Sequence, residues 1–215
     1  SEMCIRDRYL SLSNHKLIII NMNSFKSFSL LFYFTFFALT AQGIESNSQT
    51  LLKINTEKST LKWIGEKITT SQHSGSLDFK SGEMTIKDGL VVSGNFIVDM
   101  TSISVEDISG SGKKRLEGHL KSDDFFSVDK HDKALLSIKG SKKTDKGFLV
   151  DANLTIKDLT HPIQFNMVSI EGGYNADLVF DRSKYNVRFR SGSFFENLGD
   201  KLIIDDIVLS SELRF

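Results

Sequence analysis

Apolar side chains return at every second position, in run after run, through most of the chain. Leu61, Trp63 and Gly65 alternate with Lys62, Ile64 and Glu66, and Leu77 and Phe79 alternate with Asp78 and Lys80. Leu90, Val92, Gly94, Phe96 and Val98 form one face of a longer run; Phe148, Val150, Ala152, Leu154 and Ile156 form another, opposite Asp151 and Asn153. Ile163, Phe165 and Met167 follow Pro162, then come Tyr174, Ala176, Leu178 and Phe180, and a last run covers residues 203–213. A repeat of two is what a half-buried β-strand imposes, because successive side chains point to opposite faces of a sheet. Lys87-Asp88-Gly89, Asp145-Lys146-Gly147 and Glu171-Gly172-Gly173 separate the runs, each with a glycine suited to a tight hairpin. No helices intervene between successive runs, which argues against a parallel sheet of βαβ units.

One segment departs from the pattern. Residues 113–126 set Leu116 and Leu120 one turn apart ahead of Phe125 and Phe126, the spacing of a short amphipathic helix between the fourth and fifth strands. About eight or nine strands, a single helical excursion and no linker predict one all-β domain, a barrel or a sandwich. A chain with that many strands removes its edges best by closing on itself.

The 215 residues balance 27 Lys+Arg against 27 Asp+Glu, which argues against a nucleic-acid binder, and a single cysteine, Cys4, excludes an intrachain disulfide framework. The first 43 residues read as a leader. Met22 opens a signal-peptide layout, Lys26 supplies its positive charge, residues 28–39 its apolar run, and Ala41-Gln42-Gly43 its small-residue cleavage site near Gly43. The apolar stretch falls short of the roughly 20 residues that span a bilayer, so no stable membrane span is expected after cleavage. Residues 1–21 are expected to be a non-native extension ahead of a start at Met22. Loss of residues 1–43 removes Arg6, Arg8, Lys16, Lys26, Glu2 and Asp7, which turns 27 against 27 into 23 against 25. Six of the seventeen phenylalanines also belong to this leader. The expected location is the periplasm or the exterior of a bacterial cell.

Several ordered segments carry a family resemblance. Ser59-x-Leu61-x-Trp63-x-Gly65-x-Lys67 is followed by His73-Ser74-Gly75, and Gly94-Asn95-Phe96-Ile97-Val98-Asp99-Met100 by Ser102-Ile103. The most distinctive run is Leu116-Glu117-Gly118-His119-Leu120-Lys121-Ser122-Asp123-Asp124-Phe125-Phe126. Leu154-Thr155-Ile156-Lys157-Asp158-Leu159-Thr160-His161-Pro162-Ile163 and Phe180-Asp181-Arg182-Ser183-Lys184-Tyr185-Asn186-Val187 complete the set. Over residues 52–215 the chain resembles the YceI-like family of exported, lipocalin-like polyisoprenoid-binding proteins. His131-Asp132 stands where that family often has Tyr-Pro, a departure confined to a loop. The resemblance implies an eight-stranded antiparallel barrel whose lumen holds a long isoprenoid, of polyprenyl phosphate or quinone type. Eight strands enclose a lumen just able to hold one such ligand.

Strand parity and the helix give the inward candidates: Trp63, Phe79, Phe96, Phe125, Phe126, Phe148, Leu154, Phe165 and Phe180. Phe125 and Phe126 are adjacent, so both can face inward only if at least one lies off a strand. Trp63 reads first as a plug in the barrel floor. His73 and His119, within the family segments, and Lys113-Lys114-Arg115 are candidates for the mouth or a ligand headgroup. The histidines at 73, 119, 131 and 161 show no metal-ligand spacing, so no metal site is expected. Gly110-Ser111-Gly112-Lys113-Lys114 lacks the first glycine and the final Ser/Thr of a phosphate-binding loop. No Gly-x-Ser-x-Gly elbow is present, and Asp123-Asp124, Asp205-Asp206 and Asp181-Arg182 show no catalytic pairing, the last reading as an ion pair or turn lock. A non-enzymatic carrier without cofactor is the leading expectation. The alternatives are an enzyme using His73 or His119 as acid/base on a small lipophilic substrate, and an interaction module with a packed lumen. The oligomeric state is left open, a homodimer included.

Overall fold

The computed structural model describes residues 48–69 and 71–215; the leader, with Cys4 and the signal segment, lies outside them. The strands are β1 (Gln49–Lys53), β2 (Thr60–Lys67), β3 (Gln72–Lys87), β4 (Leu90–Val105), β5 (Lys133–Thr144), β6 (Gly147–Ile156), β7 (Leu159–Ile170), β8 (Gly173–Asp181) and β9 (Ile203–Arg214), with helix α1 (Gly110–Lys121) between β4 and β5. Strands β2 to β9 pair antiparallel, each with the next along the chain, and β9 returns to pair with β2. The result is a closed eight-stranded barrel. Strand β1 is an addition that lies along the lower half of β3, where Leu51 faces Thr85.

The hairpins sort the barrel into two ends. Asp88-Gly89, Asp145-Lys146 and Glu171-Gly172 turn at one end, and Phe148 and Tyr174 close it with rings 6.4 Å apart. Asp88 and Gly89 both adopt positive φ, the geometry whose twist matches a two-residue hairpin. At the other end lie the β2–β3 turn, α1 and the long connection 182–202.

Long strands keep their inward parity only with interruptions. The sequence pattern puts Leu90, Val92 and Gly94 on one face of β4, yet Val91 is buried and Val92 is not. The pairing steps from Thr85–Ser93 to Ile86–Val91, so Val92 is the extra residue of a β-bulge and the faces exchange there. A second shift, between Ser76 and Asp78 on β3, brings Ile103 and Val105 inward on upper β4.

The helix starts three residues earlier than the sequence predicts and ends at Lys121. Ser122 ends it, its amide and hydroxyl both donating to the His119 carbonyl. Phe125 and Phe126 therefore sit in the turn beyond the helix, which frees both rings to point inward and to meet edge-to-face at 5.2 Å. Glu117 holds α1 against the barrel by accepting from the Val105 amide at 2.9 Å. That hydrogen bond, ahead of the charge of Lys113, keeps the Glu117 carboxyl below its ordinary range.

Pro162 lies within β7, where β8 has already diverged: their pairing begins only at Asn166. Its missing amide hydrogen thus costs no ladder bond on that side. The short 3-10 turn Arg182–Tyr185 fills the gap, with Tyr185 edge-on to both His161 and Phe180. Asp181 caps this turn through the Ser183 amide and hydroxyl, so it acts as a turn lock and leaves Arg182 to another partner.

Candidate functional site

Between the strands and α1 lies an apolar lumen of about 740 Å³. The barrel is therefore not packed solid. Its size falls within the roughly 300–1,000 Å³ of small-molecule sites. Eight of the nine residues expected to face inward line it: Trp63, Phe79, Phe96, Phe125, Phe126, Leu154, Phe165 and Phe180. Phe148, the ninth, does not line it; its strand position lies beyond the lumen, at the closed end beside Tyr174. Trp63 is 7% exposed and donates its indole N–H to the Ser104 carbonyl at 3.2 Å, which removes its one polar group from the lumen. Its ring stands against Gly75, the residue paired with it across β2 and β3.

Most of the polar lining gathers at the α1 end, where Glu66, Lys67, Ser71, His73, Arg115 and Arg190 form the rim; Ser211, towards the other end, donates its hydroxyl to the Ala176 carbonyl. Gly112, Arg115, Leu116, His119 and Leu120 share one face of α1, spaced at three and four residues, and this is the face turned to the lumen. Of the cationic candidates, Arg115 reaches the lining and Lys113 and Lys114 do not. Lys113 is committed elsewhere, donating to the Ser104 hydroxyl and pairing with Glu117 at 3.6 Å.

The two histidines differ in kind. His73 is held by Asp107 at 2.7 Å, and Asp107 also accepts from the Ser74 amide. Burial pushes the Asp107 carboxyl up, but the Ser74 amide and His73 outweigh it and leave it below its ordinary range. Together with the Lys62–Glu106 pair, this contact ties the β4–α1 connection to β2 and β3. His119 stands between two aromatic edges, 5.6 Å from Phe125 and 4.3 Å from Phe189 by ring centroids. Its Nε2 is buried in the lining without a hydrogen-bond partner. A buried nitrogen left unsatisfied costs free energy unless a bound molecule supplies the partner.

Other lining residues escape sequence reasoning. Phe189 and Arg190 come from the irregular connection before β9, where no strand parity exists to assign a direction. Arg182 fixes that connection. Its wholly buried guanidinium pairs with Asp205 at 3.1 Å and donates to the carbonyls of Val187, Phe189, Ile203 and Ile204. Asp205 also accepts from the hydroxyls of Ser191 and Ser193. Of the two readings of Asp181-Arg182, the turn lock holds for Asp181, and the ion pair is formed instead between Arg182 and Asp205, because strand β9 runs beside β8.

Among the described residues no group of three or more His, Cys, Asp or Glu side chains could hold a metal ion, and no helix is long and apolar enough to cross a membrane. The pattern of the YceI-like domain matches residues 52–215, most of the chain and the whole of the barrel. The chain belongs to the YceI-like family. Solved structures agree with the YceI-like barrel at low sequence identity. Burkholderia cenocepacia BcnA shares 15% identity over 74% of this chain and 98% of its own, with a TM-score of 0.58. A polyisoprenoid binding domain from Saccharophagus degradans, implicated in plant cell wall breakdown, shares 14% over 77% of this chain and 97% of its own, with a TM-score of 0.50. No curated protein sequence matches the chain.

Proposed function

We propose that this YceI-like protein is an exported carrier that holds one long isoprenoid in its lumen and performs no chemistry on it. The observation that carries the reading is the lumen itself: about 740 Å³, walled by aromatic and aliphatic side chains, with most of its polar groups gathered at one end. Each methylene transferred from water into such a wall gains about 0.8 kcal/mol, so a polyprenyl tail needs few polar contacts to bind tightly. Membership of the YceI-like family supports this reading, as does the likeness to a domain from Saccharophagus degradans described as polyisoprenoid binding. The unpartnered Nε2 of His119 is suited to an oxygen on the ligand's head, a phosphate or a quinone carbonyl, with Arg115 one helical turn away.

Export is the matching proposal for residues 1–43, with cleavage near Gly43 and release into the periplasm or medium. The N-terminal sequence of the protein recovered from that compartment tests it; a chain retaining residues 22–43 there overturns it.

The carrier reading is tested by extracting purified protein with organic solvent and weighing what is released, alongside native mass spectrometry. A bound mass that fits an isoprenoid is expected. A lumen that stays empty after incubation with polyprenols overturns the reading.

A further inference from the structure

The rim of the lumen carries exposed apolar side chains that its own barrel does not use. Ile68, at the tip of the β2–β3 turn, is 55% exposed, and Phe194 and Phe195 are 40% and 50% exposed. These positions share one side of the mouth. The Ile68 amide donates to the Leu202 carbonyl, the Ile203 amide to that of Arg190, and Lys67 pairs with Ile203. Phe195 shares a second, shallower pocket with Phe189 and Arg190, the two residues that also line the lumen.

The aromatic pair is held outward by a defined turn. The amides of Phe194 and Phe195 both donate to the Ser191 carbonyl, and Ser191 is itself buried and bonded to Asp205. The Arg182 guanidinium fastens the base of the same segment through Val187 and Phe189. The phenylalanines therefore do not protrude because the segment lacks structure. Two adjacent rings held part-exposed to water leave an apolar area that the barrel itself does not bury.

The charges beside them have a preferred sign. Arg188 lies over the Phe194 ring at 4.9 Å and Arg190 over Phe189 at 5.0 Å. Among the described residues no carboxylate pairs with Arg188, Arg190, Arg115 or Lys67; in the second pocket Arg188, Arg190 and Lys157 stand with Asp123 and Asp124, and Asp123 is taken up by Lys130. Exposed aromatic rings flanked by guanidinium groups suit the boundary between acyl chains and anionic headgroups, where rings bury and cations meet phosphate.

We propose that the segment 187–202 and the β2–β3 turn form a bilayer-docking rim, with Ile68, Phe194 and Phe195 entering the surface of a membrane that carries anionic lipid. The inference rests on the carrier reading for its purpose: a ligand nearly insoluble in water passes between bilayer and lumen without crossing the aqueous phase. Docking brings the rim, and with it the lumen mouth, onto the lipid.

Hydrogen–deuterium exchange with and without vesicles in which about a third of the lipid is phosphatidylglycerol reads the surface directly. Slower exchange is expected in residues 187–202 and at the β2–β3 turn, with the closed-end turns at Asp88-Gly89 and Glu171-Gly172 unchanged, and the effect should weaken as salt rises. The F194S/F195S double variant should lower vesicle partitioning roughly tenfold or more while still taking up geranylgeraniol added in solution. A second variant, I68S, should lower partitioning in the same direction. Protection that appears without lipid as protein concentration rises assigns the face to a second copy and overturns the proposal. A protein that binds geranylgeraniol but shows no lipid protection at the rim sinks docking alone. One that does neither sinks the carrier reading as well.

Discussion

The Arg182 guanidinium lies 3.1 Å from the Asp205 carboxylate and is wholly buried. Burial pushes the guanidinium pKa down, and the charges of Asp205 and Asp181 act against that shift. The pair joins the end of β8 to the start of β9 and holds the segment that presents Phe189 and Arg190 to the lumen. Asp205→Ala leaves a buried cation unpaired, at a cost of about 3–5 kcal/mol, or a fall in Tm on the order of 10 °C. Thermal unfolding measures this, and amide exchange in residues 187–202 should accelerate at the same time. A Tm unchanged by the substitution refutes the assignment.

Gly75 has no room for a side chain. A Cβ there would stand 1.8 Å from the Ser104 carbonyl oxygen and 2.8 Å from Trp63 Cζ2. The oxygen is main chain and bonded to the Trp63 indole, so it has little freedom to move. Gly75→Ala should cost roughly 3 kcal/mol or more and shift the Trp63 emission. Gly118 offers the opposite case, a mid-helix glycine with nothing near the added carbon. Gly118→Ala should stabilise the protein by about 0.5–1 kcal/mol. Chemical denaturation of the two variants should give shifts of opposite sign.

His119→Phe retains a ring between Phe125 and Phe189 and removes the unpartnered nitrogen. The empty protein should gain about 1 kcal/mol or more from losing a buried unsatisfied group. Affinity for a polyprenyl phosphate or quinone should fall by roughly tenfold, the equivalent of one hydrogen bond to the ligand, while affinity for a head-free isoprenoid hydrocarbon stays the same. Calorimetric titration with the paired ligands separates a headgroup role from a packing role, since the latter would weaken both alike.

Burial, reinforced by the charge of Asp181, raises the Tyr185 phenol to about 12. Its ordinary pKa is about 10, so between those values the unfolded chain releases a proton that the folded protein keeps. Stability is therefore full below about pH 10 and is lost as pH rises towards 12, by about 2–3 kcal/mol from this group alone. Tyr185→Phe should flatten that part of the profile. Urea unfolding of both proteins from pH 9 to about pH 11.5 checks it, and parallel slopes would remove Tyr185 as the cause.

Much of the barrel could be read from the chain because side-chain parity is a local property. The alternation of β6, β7 and β8 is visible directly, and their inward faces match the buried residues, with Phe148, Ile163 and Tyr174 only half-buried. Parity fails where the ladder slips. Val92 looks inward by counting and is displaced by a bulge, which exists only because β3 and β4 pair out of step there. Strand β1 carries little signal because it is short and largely exposed along the edge it covers.

The candidate site divides in the same way. Trp63, Phe96, Leu154, Phe165 and Phe180 could be placed in the lumen from alternation, while His119 is singled out by the family segment that contains it and Arg115 by the basic run Lys113-Lys114-Arg115. The sequence by itself determined an antiparallel all-β domain, its hairpins, most of its inward faces and its family. Tertiary structure alone decided that the lumen stays open, that His119 keeps an unpaired nitrogen, that Arg182 meets Asp205, and that Phe189 and Arg190 join the lining. Alternation and turn chemistry act between residues a few positions apart. Closure, ion pairing across strands and the volume left inside a barrel depend on which distant segments meet, and no local pattern encodes that distance.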